Sequence, residues 1–169
     1  GVIMPKFARA IVNLSSVKDN ELFLDPFCGT GGILIEAGMI GASIIGADVQ
    51  EKMVKGASDN LKFFGLHAGL IVSDASEIPL SENSIDAIAT DMPYGRSSII
   101  TVELEQLYRD ALDEIYRVLK TGGRAVIVSH LPFFHSLSCK HATRFPLLEE
   151  HSYRVHKSLT RYIAVHEKI

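Results

Sequence analysis

The segment Asp25-Pro26-Phe27-Cys28-Gly29-Thr30-Gly31-Gly32 follows a short apolar run and leads straight into an apolar helical pattern. A glycine-rich turn between strand and helix lets the backbone bend tightly and come close to a ligand. Two look-alikes are excluded. The dinucleotide fingerprint G-x-G-x-x-G needs glycine at 34, where Leu34 stands, and the phosphate-binding P-loop needs G-K-[ST], which is absent. Outward from this turn the chain alternates. Residues 5–14 read as a helix with Pro5 in its first turn, 21–24 as a strand and 31–40 as a helix. Next come a strand at 42–47, a helix at 51–64 stopped by Gly65, and strands at 70–72 and 85–90. A helix at 102–119 closed by Gly122-Gly123, a strand at 124–129 and β-like stretches at 147–155 and 159–166 complete the chain. Strand–helix alternation predicts an α/β fold with a parallel sheet covered on both faces.

The 169 residues suit one domain, and 47% hydrophobic with 22% charged residues is globular composition. No apolar stretch is long enough for a membrane helix, and no secretory signal is readable. The two cysteines, Cys28 and Cys139, exclude a disulfide framework, and a cytoplasmic location is the simplest expectation. A net charge of −3 argues against an autonomous nucleic-acid binder. The charge is uneven: residues 1–139 hold 11 basic and 17 acidic side chains, whereas 140–169 hold 6 and 3, with four of the seven histidines.

Asp25, Asp48, Asp74 and Asp91 each fall at or just after the end of a predicted strand. In an open α/β sheet those ends line one crevice, where ligands bind. A carboxylate at Asp25 suits an amino-acid ammonium. Asp48 is placed to accept from ribose hydroxyls, and Asp74, followed by Ala75, to accept from an exocyclic amine. An amino acid, a ribose and an adenine without phosphate describe S-adenosyl-L-methionine. Phe27, Gly29, Gly31 and Val49 complete the expected cofactor-binding set.

Asp91-Met92-Pro93-Tyr94 matches a second task. An amine on a planar base is a poor nucleophile, because its lone pair is delocalised into the ring. The Asp91 carboxylate and the Met92 carbonyl both accept from that amine and favour a tetrahedral nitrogen. Pro93 fixes the turn, and Tyr94 offers a face on which an extruded base stacks. At its ordinary pKa of about 3.9, Asp91 is a weak base that takes the proton only after methyl transfer.

DPFCGTGG, the acid at Asp48, Asp74-Ala75 and D-x-P-Y together resemble a class I amino-methyltransferase. PKFARAIVNL ahead of the loop, DMPYGRSS, and HKSLTR near the end are similar to one family, the THUMP-containing tRNA guanine-10-N2 methyltransferases. The resemblance runs from Met4 to about Val165. It implies a Rossmann-like, mostly parallel seven-stranded sheet with helices on both faces and an antiparallel last strand. It implies methyl transfer from S-adenosyl-L-methionine to guanine N2 of tRNA, with Asp91 to Tyr94 as the catalytic loop. Gly95, Arg96, Ser97 and Ser98, with His156, Lys157 and Arg161, would then face the RNA. A small activating protein subunit is implied on the same ground. The family usually has Asp-Pro-Pro-Tyr, and Met92 departs from it. The family's N-terminal RNA-binding THUMP region is missing, so residues 1–169 are expected to be one methyltransferase domain of a longer protein, binding tRNA weakly alone.

Cys28 suggests the nucleophile of a pyrimidine methylase, but a small side chain packed under the loop is the expectation. The histidines lack ligand spacing, so no metal is expected. Phe133-Phe134 are read as packing residues, and Leu104, Leu107, Leu112, Ile115 and Leu119 as the core stripe of a helix. The competing readings are another planar amine (adenine N6 of DNA, guanine N2 of ribosomal RNA, a glutamine amide), a non-catalytic cofactor-binding domain, and a nicotinamide dehydrogenase.

Overall fold

The computed structural model describes residues 3–94, 102–130, 141 and 143–169. Seven strands form one sheet in the order β3-β2-β1-β4-β5-β7-β6. They are β1 (Leu22–Asp25), β2 (Ser43–Asp48), β3 (Ala68–Val72), β4 (Ile85–Asp91), β5 (Leu119–Ser129), β6 (Leu147–His156) and β7 (Leu159–Glu167). The first five pair in parallel, and β7 runs antiparallel to both β5 and β6. The expected Rossmann-like methyltransferase sheet is therefore present. Four helices accompany it among the described residues: α1 (Pro5–Leu14), α2 (Gly32–Ile40), α3 (Glu51–Phe63) and α4 (Val102–Val118).

Two cores explain the layers. Ala8, Ile11 and Val12 of α1, Ile33 and Leu34 of α2, and Ala57 and Leu61 of α3 pack on one face with Phe23, Ala89 and Val128. Tyr108, Ala111, Leu112, Ile115 and Val118 of α4 pack on the other with Leu24, Ile88 and Ile127. The buried stripe of α4 thus runs through Tyr108, Ala111 and Val118, and Leu107 turns instead to the crevice. The helix also ends earlier than its glycine stop suggests. Leu119 already pairs with Ile85, and the glycines lie inside β5, where the register shifts. Gly122 takes φ +88, and its N–H donates to the Lys168 carbonyl at 2.6 Å. The local sequence shows a helix stop, whereas pairing across the sheet decides where the strand begins.

Candidate active site

The glycine loop is built by its neighbours. The Cys28 N–H donates to the Ala47 carbonyl at 2.8 Å, and the Gly29 N–H donates to Asp48 Oδ2 at 3.0 Å. The loop is thereby tied to the end of β2. Gly31, at φ +92, faces Ala57 of α3, whose Cβ would stand 3.4 Å from an added Cβ, and lets the turn enter α2; it does not line the crevice. Cys28 is buried, and its thiol is pushed well above the usual range by burial and by the fields of Asp25 and Asp48. It lies against Gly46, where an added Cβ would stand 3.2 Å from its sulfur. That is a packing residue with no nucleophilic thiolate.

The four acids do meet. One lobe of the crevice, about 380 Å³, is lined by Asp25, Phe27, Cys28, Gly29, Met53 and Asp91, among others. A second, about 390 Å³, holds Asp48, Val49, Asp74, Ala75, Asp91 and Pro93 and shares Phe27, Gly29 and Met53 with the first. Asp25 is fully buried. Its Oδ1 accepts from the Phe27 N–H at 3.0 Å and the Thr90 hydroxyl at 2.6 Å, while Oδ2 has no partner. Burial pushes this carboxyl up to about 7, against the two hydrogen bonds and with the help of Asp91 and Asp48. Asp48 accepts from Gly29 and, at 2.9 Å, from the Gln50 N–H. Asp74 Oδ1 accepts from the Ser76 N–H and hydroxyl, both at 2.9 Å. Thr90, Met53 and Gln50 are contributors that single-chain motif reading did not find. Thr90 stands directly before the D-M-P-Y run, and that adjacency was the available signal.

Asp91 corrects one expectation. Its carboxyl is not at its ordinary value: burial raises it to about 6, against the field of Arg161. Its Oδ1 is buried without a partner. Met92 places its side chain in the core under α4, fully buried, and its N–H donates to the Val128 carbonyl at 2.8 Å. A proline there could make no such bond. The Pro93 carbonyl accepts from the Tyr108 hydroxyl of α4, which fixes the loop from the other face. The Tyr94 ring meets His130 edge-on, with centroids 4.8 Å apart. His130 Nδ1 is buried without a partner, and desolvation lowers its pKa.

The remaining substrate-side residues separate. His156 and Lys157 are exposed at the β6–β7 turn, with the His156 ring nitrogen Nδ1 3.2 Å from the Ser158 hydroxyl. Arg161 is instead buried, with its guanidinium 5.4 Å from the Phe7 ring centroid of α1. Gly95, Arg96, Ser97 and Ser98 lie outside the described residues, as do Phe133, Phe134 and Cys139.

The pattern of the UPF0020 family, RMKL-like, methyltransferase domain, matches residues 1–163. The tRNA (guanine(10)-N2)-dimethyltransferase of Methanothermobacter thermautotrophicus is 45% identical over 171 residues, covering 100% of this chain and 50% of that protein. The enzyme of the same name from Pyrococcus abyssi is 39% identical over 166 residues, covering 96% and 49%. The chain therefore spans about half the length of these curated relatives. The crystal structure of TrmN from Thermus thermophilus superposes with a TM-score of 0.86 at 25% identity, covering 100% of this chain and 50% of that one. With the sequence pattern, the sheet order and the acid-lined crevice in agreement, the chain belongs to the UPF0020 family of RMKL-like methyltransferase domains.

Proposed function

We propose that this domain transfers a methyl group from S-adenosyl-L-methionine to the exocyclic N2 of a guanosine in tRNA, at position 10 by analogy with its relatives. The observation that carries the reading is Asp91, which lines a crevice shared with Asp25, Asp48 and Asp74 and has a buried oxygen without a partner. The donor set suits the cofactor. Asp25 Oδ2 is a buried acceptor without a donor, as an ammonium requires, and Asp48 and Ala75 line the lobe suited to a nucleoside. Bound there, the cofactor supplies an electrophilic methyl. The chain's own residues do the rest. Asp91 and the Met92 carbonyl accept from the guanine amine and localise its lone pair. Tyr94 stacks the base, which must be extruded from a stem to reach the loop. Asp91 then takes the proton that the cationic nitrogen releases. Orientation of this kind supplies much of the rate in two-substrate transfers.

Asp91→Ala is expected to abolish methyl transfer to unmodified tRNA while cofactor binding persists, since Asp25, Asp48 and Asp74 remain in the crevice. Nucleoside mass spectrometry of the treated tRNA reads the product. Retained N2-methylguanosine formation in that variant would remove Asp91 from its role. In cells lacking the gene, N2-methylated guanosine in tRNA should fall. An activating protein subunit belongs to the same proposal.

A further inference from the structure

Arg161 is 4% exposed, and among the described residues its Nε has no hydrogen-bond partner. Arginine carries a positive charge and five N–H donors with no acceptor. Burying the Nε of a guanidinium without an acceptor is unfavourable, so that nitrogen is open to one. Its place in the fold is informative. Asp91 is level with Val128 on β5, and Val128 with Ile163 on β7, so all three side chains share the α1–α3 face. Arg161 precedes Ile163 by two residues and lies on that same face. Because β7 is antiparallel, Arg161 stands one pleat nearer the strand ends that carry the D-M-P-Y loop. Phe7 lies over the guanidinium, and Tyr153, which pairs with Arg161 across the strands, packs on Phe7 at 5.3 Å. Arg161 is also close enough for its field to reach Asp91.

We infer that Arg161 is a specificity-determining residue that donates to the O6 and N7 acceptors of the target guanine. The inference rests on the functional reading above. With N2 held between Asp91 and the Met92 carbonyl, the carbonyl oxygen of guanine projects away from those acceptors. Arginine is the commonest partner of the O6/N7 pair, because its fork matches two acceptors side by side. A base with an amine at that position would set donor against donor. A phosphate suits the site less well. The flat ring of Phe7 covers the guanidinium, and the neighbouring Asp91 carboxylate repels a second anion.

The test uses the native protein and tRNA transcripts with guanine or 2-aminopurine at the methylated position. 2-Aminopurine keeps the N2 amine and N7 but lacks O6. The wild-type protein is expected to prefer guanine by roughly five- to 150-fold in kcat/KM, the range for loss of one good arginine–base pair. Arg161→Met should lower the guanine rate by about that factor and spare the 2-aminopurine rate, bringing the ratio near one. Arg161→Lys should fall between. A variant that loses both substrates equally, with the ratio preserved, shows a structural or counter-ion role and overturns the inference. Should Arg161→Met fail to fold in a thermal melt, a wild-type ratio near one, or an unchanged ratio in Arg161→Lys, overturns it as well. Absence of guanine methylation by the wild-type protein would instead remove the functional reading itself.

Discussion

At Asp91 desolvation outweighs the field of Arg161, and the carboxyl settles near 6. The amine acceptor must be ionised, so kcat/KM for methyl transfer is expected to rise between pH 5 and 7 with an apparent pKa of about 6 and then level off. A profile flat across that window would contradict the acceptor role. Asp25 bears on stability in the same window. Its folded pKa of about 7 lies above the unfolded value, so the native state holds the proton more tightly. That contribution is complete below about pH 4 and is lost as the pH climbs through about 7. The melting temperature of the ligand-free protein should therefore fall between about pH 4 and 7. Asp25→Asn keeps an acceptor for Phe27 and Thr90 and should flatten that dependence, as thermal melts across the range will show.

At the scale of elements, the loop and the strands hold each other in place by close approach. Gly46 of β2 has no room for a side chain: a Cβ would stand 2.4 Å from Leu34 Cδ1 of α2 and 3.1 Å from the Cys28 Cβ. Gly46→Ala should cost about 1–3 kcal/mol through overpacking and weaken cofactor binding by displacing the Cys28 loop. Gly69→Ala on β3, where the nearest atom is an ordinary 3.8 Å away, should cost much less in the same urea titration. Met92 joins β4 to β5 in a related way. Met92→Pro introduces ring stiffness but removes the hydrogen bond to Val128 and a fully buried side chain. A loss of about 2–4 kcal/mol is expected in equilibrium unfolding. The methionine thus replaces ring stiffness with one more rung of the sheet.

Over the whole molecule, charge and coverage bear on how RNA would be reached. The acid-lined crevice falls in the portion with 17 acidic against 11 basic side chains, and the basic excess lies in the last 30 residues. The chain spans about half the length of the Methanothermobacter and Pyrococcus relatives, and these residues alone are expected to hold tRNA weakly, with a shallow salt dependence. If exposed Lys157 meets a phosphate, Lys157→Ala should lower the slope of log K against log salt by roughly 0.7–0.9. Titration of labelled tRNA at several salt concentrations measures it, and an unchanged slope would take Lys157 off the RNA path.

Much of this was legible in the linear chain, because strand ends, glycine turns and acids repeat at short range. The α/β alternation, the loop at residues 25–32 and the four acids all follow from local pattern, and the parallel sheet places the acids on one crevice. Burial was not legible, because it depends on what distant elements lay over a side chain. The raised carboxyls of Asp25 and Asp91, the bond from Met92 to Val128, and the reading of Arg161 as a covered guanidinium under Phe7 all come from contacts between elements far apart in sequence. Local residue types determined which groups the site could contain. Only the tertiary structure decided which of them water still reaches, and desolvation sets their charge and their appetite for a partner.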